Sequence, residues 1–307
     1  MINNNAYPAK VLLFGEYGIL TGSMALAMPY TRFSGRFRFS DSPNTISKQE
    51  TALNESLQKL MQFLKSKLEK FQFLDLPRLE AEINQGLYFD STIPVGAGLG
   101  SSGALVAALY NRYLINPLDN PDYKMIRLRL ASIENYFHGT SSGFDALTSL
   151  VNTPILMEAN SSLITATDLS TFLDKITIYL IDTHSKAQTN SLVGYFMDQY
   201  RLGGFKELID HHYVPLIDET INAATSADSD SFDHLISNYS EFQLTFLEKM
   251  IPGMMKIHFE YGISSDTFYL KLCGSGGGGY ILGFAHDRLK AESYFNLNHL
   301  EWTVINV

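Results

Sequence analysis

Cysteine is almost absent from the chain: Cys273 is the only one in 307 residues, so no disulfide can form within it. One unpaired cysteine is typical of a reducing compartment, and the sequence predicts a cytoplasmic protein. Cys273 lies in an apolar stretch with no base beside it, which favours a packed core thiol over a nucleophile. Long apolar runs are also lacking. None approaches the roughly 20 residues of a membrane span, and the polar start of the chain does not match a signal peptide.

Basic residues are outnumbered by acidic ones. Lysine and arginine total 23 against 32 aspartates and glutamates, which gives a formal charge of −9. This balance argues against a nucleic-acid partner, whose binding surface would be basic. A local basic pocket for phosphates remains compatible with it, because net charge is a sum and sites are local.

The content of hydrophobic residues, 45%, is enough for sizeable cores, and the length suits one large domain or two ordinary ones. Leucine and methionine recur at helical spacing between Leu53 and Leu68, which predicts an amphipathic helix. Predicted strands and helices mix without a regular βαβ alternation, and this favours an α+β fold. A polar stretch at residues 158–174 predicts a boundary between domains at residues 1–165 and 166–307.

A glycine-rich segment follows a predicted strand and runs directly into helix-forming residues. It consists of Gly96, Ala97, Gly98, Leu99, Gly100, Ser101, Ser102 and Gly103. Glycines let a backbone approach phosphates, and a helix N-terminus directs N–H groups at an anion. The two serines could cap the helix or offer hydroxyls to phosphate and Mg²⁺.

Other interpretations of this segment stay open. The Gly-Lys-Ser/Thr ending of a Walker P-loop is missing. The spacing of Gly98, Gly100 and Gly103 fits a dinucleotide fingerprint, but without the βαβ context. A flexible turn capped by serine is the remaining alternative. A second glycine run, residues 274–279, joins two apolar strands, which indicates a tight turn or a close backbone approach rather than a linker.

Two carboxylates stand out near the middle of the chain. Asp145 follows a stretch of small residues, and Glu134 lies eleven positions earlier on a predicted helix. Phosphoryl transfer needs a carboxylate ligand for a hard cation and benefits from one that orients the acceptor hydroxyl. From the residues alone, Asp145 could equally be a helix N-cap and Glu134 a solvated helix residue.

Three segments taken together resemble the GHMP kinase superfamily. They are residues 8–20 (PAKVLLFGEYGIL), 94–103 (PVGAGLGSSG) and 271–279 (KLCGSGGGG). His138-Gly139 followed by Ser142-Gly143-Phe144-Asp145 is similar to the HG-x-PSG-x-D signature of the mevalonate kinase branch. The resemblance implies a two-domain α+β fold with the active site in the cleft between the domains.

The resemblance also implies roles for individual residues. Asp145 would be the catalytic carboxylate and Lys10 the cation that positions and activates it. Ser102 and Glu134 would hold Mg²⁺, and the 96–103 segment would bind ATP. The acceptor would be bound by Glu16, Tyr17, Thr189, Gly276 and Gly277. The implied cofactors are therefore ATP and Mg²⁺, and the implied partner is a small-molecule substrate, with no nucleic acid and no membrane. A homodimer is an option that the sequence leaves open.

Three departures from the family pattern fall on the acceptor side. Tyr17 stands where mevalonate kinases usually have histidine, Ala187 stands where an arginine is usual, and Ser141 replaces the usual proline. A mevalonate-type kinase is the leading hypothesis. Phosphomevalonate kinase is the nearest alternative, because its motif reads Gly-Glu-Tyr, followed by a kinase for another alcohol or sugar. A decarboxylating lyase and a catalytically inactive metabolite sensor are the non-kinase alternatives.

Overall fold

A computed structural model describes residues 5–40, 47–116, 122–139, 141–161, 163–185 and 189–305. The chain mixes helices and antiparallel sheets, which confirms the α+β prediction. The strands are β1 (Tyr7–Phe14), β2 (Ala25–Phe39), β3 (Leu87–Ser91), β4 (Ile155–Met157), β5 (Ile164–Ala166), β6 (Thr177–Asp182), β7 (Tyr269–Leu272), β8 (Tyr280–Ala285) and β9 (Glu301–Val304).

The helices are α1 (Lys48–Lys65), α2 (Leu76–Asn84), α3 (Ser101–Tyr113), α4 (Tyr123–His138), α5 (Phe144–Val151), α6 (Ser170–Leu173), α7 (Thr189–Tyr200), α8 (Gly203–Leu208), α9 (Val214–Thr225), α10 (Ser229–Phe246), α11 (Lys256–Ser265) and α12 (Arg288–Leu297). A π-helical turn, Ile209–Tyr213, joins α8 to α9. Within the described ranges, no helix has the length and apolarity needed to span a bilayer.

The chain forms two compact units that are interleaved in sequence. The first unit contains Met1–Lys10, Pro29–Pro94 and Gly100–Asn152, and the second contains Val11–Met28, Val95–Leu99 and Thr153–Val307. The chain therefore passes from one unit to the other within β1, within β2 and at the glycine-rich segment. The domain boundary predicted at residues 165 and 166 stays a prediction, and the compact units differ from it in being discontinuous.

In the first unit, α1 begins with a capping box in which Ser47 and Glu50 satisfy each other's backbone N–H groups. Its apolar stripe buries Leu57, Leu60, Met61 and Leu64, as the spacing predicted. The extension of the stripe to Leu68 was wrong, because α1 ends at Lys65 and Leu68 is 57% exposed. Ser66 ends the helix, with its hydroxyl donating to the Phe63 carbonyl at 2.7 Å.

In the second unit, four strands form an antiparallel sheet in the order β7-β8-β6-β9. Aromatic rings of β1, α10 and β8 meet in its core, where Phe14 stacks on Phe284 at 5.4 Å between ring centroids. The two apolar strands predicted on either side of the second glycine run occur as β7 and β8. Cys273 is buried at the end of β7, as a packed core thiol should be.

Candidate active site

Lys10 and Asp145 form an ion pair in the first unit, with 3.1 Å between the lysine Nζ and the carboxylate Oδ2. The lysine side chain is only 6% exposed, whereas that of Asp145 is 37% exposed. Asp145 lies in the first turn of α5, where the helix dipole favours a negative charge. The pair therefore presents a carboxylate that water or a ligand can reach, backed by a buried cation.

The position of α5 against β1 explains why these two residues meet. The Ser149 hydroxyl donates to the Pro8 carbonyl at 2.7 Å, and both groups are buried. Asp145 lies one turn before Ser149 on the same face of the helix, and Lys10 lies two residues beyond Pro8 on the same face of the strand. One buried hydrogen bond thus sets the register that brings Asp145 to Lys10.

The N-terminus of α3 lies beside the same pair. Gly100, the N-cap residue, has φ +73°, and a Cβ at this position would come within 2.9 Å of the Lys10 side chain. A Cβ at Gly103 would come within 3.0 Å of the Ala146 nitrogen, so only glycine permits this approach of α3 to α5. The N–H groups at the start of α3 therefore lie next to Asp145, as an anion site requires.

Glu134, on α4, is 3% exposed. Each of its two carboxylate oxygens accepts a hydrogen bond from a serine hydroxyl. Oε1 accepts one from Ser102 at 3.2 Å, and Oε2 accepts one from Ser141 at 2.5 Å. Burial, followed by the nearby charge of Asp145, raises the pKa of Glu134 to about 7, against the effects of the two serines and Lys10. A cation at this carboxylate would oppose that rise.

The donor set suits a magnesium ion. Ser102 and Glu134 offer a hydroxyl and a carboxylate, which are hard oxygen ligands. The described residues contain no group of three or more His, Cys, Asp or Glu side chains that could hold a metal by themselves. Mg²⁺ commonly takes one or two carboxylates and completes its shell with phosphate oxygens and water. Two protein ligands are therefore enough for an Mg²⁺ ion that binds together with a nucleotide.

The second unit contains another lysine–carboxylate pair, formed by Glu16 and Lys271. The Lys271 Nζ lies 2.8 Å from the Glu16 Oε1, and the two side chains are 1% and 0% exposed. Burial raises the pKa of Glu16 in spite of this ion pair. The carboxylate of Glu16, predicted to bind the acceptor, is thus enclosed by protein in this structure, and an acceptor contact by it stays a prediction.

Gln243 links this pair to the surrounding elements. Its Nε2 donates to Glu16 Oε1 at 2.5 Å and to the Tyr213 hydroxyl at 3.0 Å. Its Oε1 accepts the backbone N–H of Leu272 at 2.8 Å. The network thereby connects the turn after β1 with α10, β7 and the π-helical turn. It gives Glu16 Oε1 its partners, whereas Glu16 Oε2 is buried with no hydrogen-bond partner among the described residues.

Tyr17 follows Glu16 and has φ +62°, a left-handed backbone conformation that is unfavourable for a bulky residue. Its ring packs against Phe196 at 4.6 Å between centroids. Its hydroxyl donates to the Ser275 carbonyl at 2.5 Å. Tyr17 therefore connects the turn after β1 to the second glycine run.

That glycine run approaches neighbouring backbone closely. A Cβ at Gly276 would lie 2.3 Å from the Met250 carbonyl oxygen, and the Gly277 N–H donates to the same oxygen at 2.6 Å. At Gly279, a Cβ would lie 2.8 Å from the carbonyl oxygen of Ala97. The prediction of a close backbone approach is confirmed, whereas an acceptor contact by Gly276 and Gly277 stays a prediction.

The remaining predicted site residues are placed as follows. Gly96 and Gly98 have φ of +77° and +80°, and Leu99 is buried. Ser101 is the first residue of α3. Thr189 begins α7, but its side chain lies outside the described part of the chain, as do Lys186 and Ala187. Binding of ATP by the 96–103 segment stays a prediction that its geometry suits.

Residues 57–153 match the family model described as GHMP kinases N terminal domain, a stretch that includes Ser102, Glu134 and Asp145. A search of curated protein sequences finds no match to the chain.

Solved structures match over almost the whole chain. Mevalonate kinase of L. major, in complex with R-mevalonate, is 18% identical with a TM-score of 0.66, covering 96% of this chain and 91% of that one. Phosphomevalonate kinase of Streptococcus pneumoniae, in complex with phosphomevalonate and AMPPNP, is 16% identical with a TM-score of 0.64, covering 98% and 99%. Galactokinase of Lactococcus lactis, complexed with galactose, is 15% identical with a TM-score of 0.65, covering 98% and 92%.

Identities this low show a shared fold. Residues 57–153 match the GHMP kinase N-terminal domain, the chain has the GHMP kinase fold, and the predicted resemblance is confirmed. Together these findings support a phosphotransferase.

Sequence reasoning missed three residues of these clusters. Lys271 and Gln243 enclose Glu16, and Ser141 binds Glu134. The buried role of Lys271 could have been predicted from the sequence, since a lysine inside an apolar strand requires a buried partner. The roles of Gln243 and Ser141 could not, because polar residues on a helix or in a loop usually face water.

Proposed function

We propose that the chain is an ATP- and Mg²⁺-dependent kinase for a small alcohol, of the mevalonate kinase type. The observation that carries the proposal is the half-exposed carboxylate of Asp145, held 3.1 Å from the buried Lys10 Nζ beside the N-terminus of α3. A carboxylate next to an anion-binding helix start suits the deprotonation of a hydroxyl beside a bound phosphate.

In this proposal the acceptor hydroxyl gives its proton to Asp145 as its oxygen bonds to the γ-phosphorus, and the bond to the β-phosphate oxygen breaks to release ADP. Lys10 holds the Asp145 carboxylate in place. The N–H groups at the start of α3 stabilise the negative charge on the phosphates. Ser102 and Glu134 would hold a Mg²⁺ ion, which would neutralise part of the phosphate charge.

Phosphomevalonate is the alternative acceptor, because the chain has Tyr17 in a Gly-Glu-Tyr sequence and shares its fold with the S. pneumoniae phosphomevalonate kinase. An inactive sensor is disfavoured, because the four residues that such a protein could lose are all present. Lys10 pairs with Asp145 and Ser102 bonds to Glu134, and the charges of the first pair act on Glu134. A cytoplasmic location stays a prediction.

The test measures ADP release from Mg·ATP with mevalonate and phosphomevalonate offered separately, with Asp145→Asn as the control. We expect turnover with one acceptor and its loss in the variant. No ADP release with either acceptor, in a protein that still binds Mg·ATP, would contradict both named acceptors. Release of CO₂ in an ATP-dependent reaction would indicate a lyase instead.

A further inference from the structure

The loop between α4 and α5 contains a serine whose N–H and hydroxyl both bind nearby partners. The Ser141 N–H donates to the Asn135 Oδ1 at 2.7 Å. Its hydroxyl donates to the Glu134 Oε2 at 2.5 Å and accepts the Gly143 N–H at 3.0 Å. Ser141 is thus bound at once to a carboxylate of the candidate metal site and to the residue before α5, the helix that carries Asp145.

Glu134 needs this hydroxyl more than an exposed glutamate would. Its side chain is buried, and Ser141 supplies the hydrogen bond to Oε2 just as Ser102 supplies the one to Oε1. A buried carboxylate oxygen that loses its donor keeps the cost of its desolvation, so the side chain would turn towards another donor. The Ser141 hydroxyl therefore restricts the orientation of the carboxylate.

We propose that Ser141 is a positioning residue for Glu134, keeping Oε1 beside the Ser102 hydroxyl so that the two oxygens can bind one divalent cation. The proposal rests on the kinase function proposed above. It concerns a feature of this chain, because the related signature has proline at this position, and proline offers neither an N–H nor a hydroxyl.

A purely structural role is the competing explanation. The bonds from Ser141 to Asn135 and Gly143 could serve only to close the loop. In that case the loss of the hydroxyl would weaken folding and every kind of ligand binding alike. A positioning role predicts a selective loss: the binding of nucleotide without metal is kept, and the gain that Mg²⁺ adds to it is reduced.

The experiment measures the dissociation constant of AMPPNP by calorimetry, in EDTA and again in saturating Mg²⁺, for the wild type, Ser141→Ala and Ser132→Ala. Ser132 is the matched control: it lies on α4, is part-buried and donates its hydroxyl to the Arg129 carbonyl at 2.6 Å. The quantity compared is the ratio of the two constants. The affinity of Mg²⁺ for free AMPPNP is the same for every variant and cancels in this comparison.

We expect Ser141→Ala to lower the Mg²⁺-dependent gain about 10- to 100-fold, the usual effect of removing a hydrogen bond to a metal ligand. The affinity in EDTA should stay at the wild-type value, and Ser132→Ala should match the wild type in both conditions. Ser141→Thr, which keeps the hydroxyl, should restore the gain, whereas the equally shaped Ser141→Val should not. This second pair also decides the matter if the alanine variant fails to fold.

An unchanged ratio in Ser141→Ala, or equal losses with and without Mg²⁺, would overturn the positioning role while leaving the kinase proposal intact. A wild type whose AMPPNP affinity does not respond to Mg²⁺ would instead overturn the metal assignment of the proposed function, and the positioning role with it.

Discussion

The two units each contain a lysine–carboxylate pair, and the pairs differ mainly in their access to water. Asp145 is 37% exposed beside Lys10, whereas Glu16 is 1% exposed beside Lys271. The distances, 3.1 Å and 2.8 Å, are similar. The difference lies in exposure: water or a ligand can reach the Asp145 carboxylate in this structure, whereas protein encloses the Glu16 carboxylate.

The surroundings of the pairs explain the difference. Asp145 lies in the first turn of α5 and is approached by Lys10 and by the glycines at the start of α3, with its side chain 37% exposed. The Glu16 carboxylate is closed in by Lys271 and Gln243, with the rings of Phe14 and Tyr239 packed around the lysine Nζ at 5.5 and 5.7 Å to their centroids. Substitutions should therefore change activity at the first pair and stability at the second.

The largest expected effect is that of Asp145→Asn. The amide cannot accept the acceptor proton, so kcat should fall about 10²- to 10⁴-fold, the usual contribution of a general base. The variant should still fold, because the residue is half-exposed. Steady-state ADP release and thermal unfolding check the two halves of this prediction. Near-wild-type turnover in a folded variant would remove Asp145 from the catalytic role.

The second effect concerns the buried pair of Glu16 and Lys271. Glu16→Gln or Lys271→Met leaves a buried polar or charged partner uncompensated and should lower the free energy of unfolding by about 3–5 kcal/mol. The double variant Glu16→Leu, Lys271→Met removes both charges and should recover a large part of that loss. Urea unfolding measures all three proteins. Single variants as stable as the wild type would contradict the structural role of the pair.

The third effect is a pH dependence of stability in the metal-free protein. Because the pKa of Glu134 is raised from 4.5 to about 7, the folded state binds this proton more tightly than the unfolded state does. The free energy of unfolding should therefore fall as pH rises through this interval, by on the order of 3 kcal/mol.

Urea unfolding in EDTA between about pH 5 and pH 8 measures this fall. Glu134→Gln cannot titrate and should lose this part of the pH dependence. Replacing EDTA by Mg·AMPPNP should reduce the pH dependence of the wild type, because a bound cation opposes protonation. The same pH slope in wild type and Glu134→Gln would show that another group titrates.

The smallest effect is that of Tyr17→Phe. It removes one hydrogen bond to the Ser275 carbonyl while keeping the ring on Phe196, so stability should fall by about 0.5–1.5 kcal/mol. Tyr261→Phe is the control, because this ring also stacks on a neighbour, Tyr294, but is 41% exposed. A control variant that loses as much stability as Tyr17→Phe would show that the bond to Ser275 contributes nothing specific.

The sequence was most informative where function restricts the choice of residue. The approach of α3 to Asp145 requires Gly100 and Gly103, so the glycine-rich pattern in the sequence indicated the candidate active site. The helix predicted to carry Glu134 occurs as α4, and it ends at Gly139, whose φ of +71° favours glycine. The end of α1 was predicted less well, because local bonding by Ser66 overrides the apolar spacing that continues to Leu68.

Other features could not be predicted because they arise from tertiary contacts. Glu16 stands next to Tyr17 in a motif, and nothing in the motif shows that its carboxylate faces Lys271, 255 residues away along the chain. Ser141 lies in a run of small polar residues that are indistinguishable until the loop closes on Glu134. The exposure that separates the two ion pairs is likewise a property of the packed chain.

The most direct test of this account is steady-state ADP release by Lys10→Met, compared with the wild type at equal folded concentration and with whichever acceptor the wild type uses. We expect Lys10→Met to stay folded and to lose about 10²- to 10³-fold in kcat, the usual loss when one electrostatic contact of an active site is removed. Turnover close to that of the wild type would contradict the assignment of the exposed pair to catalysis.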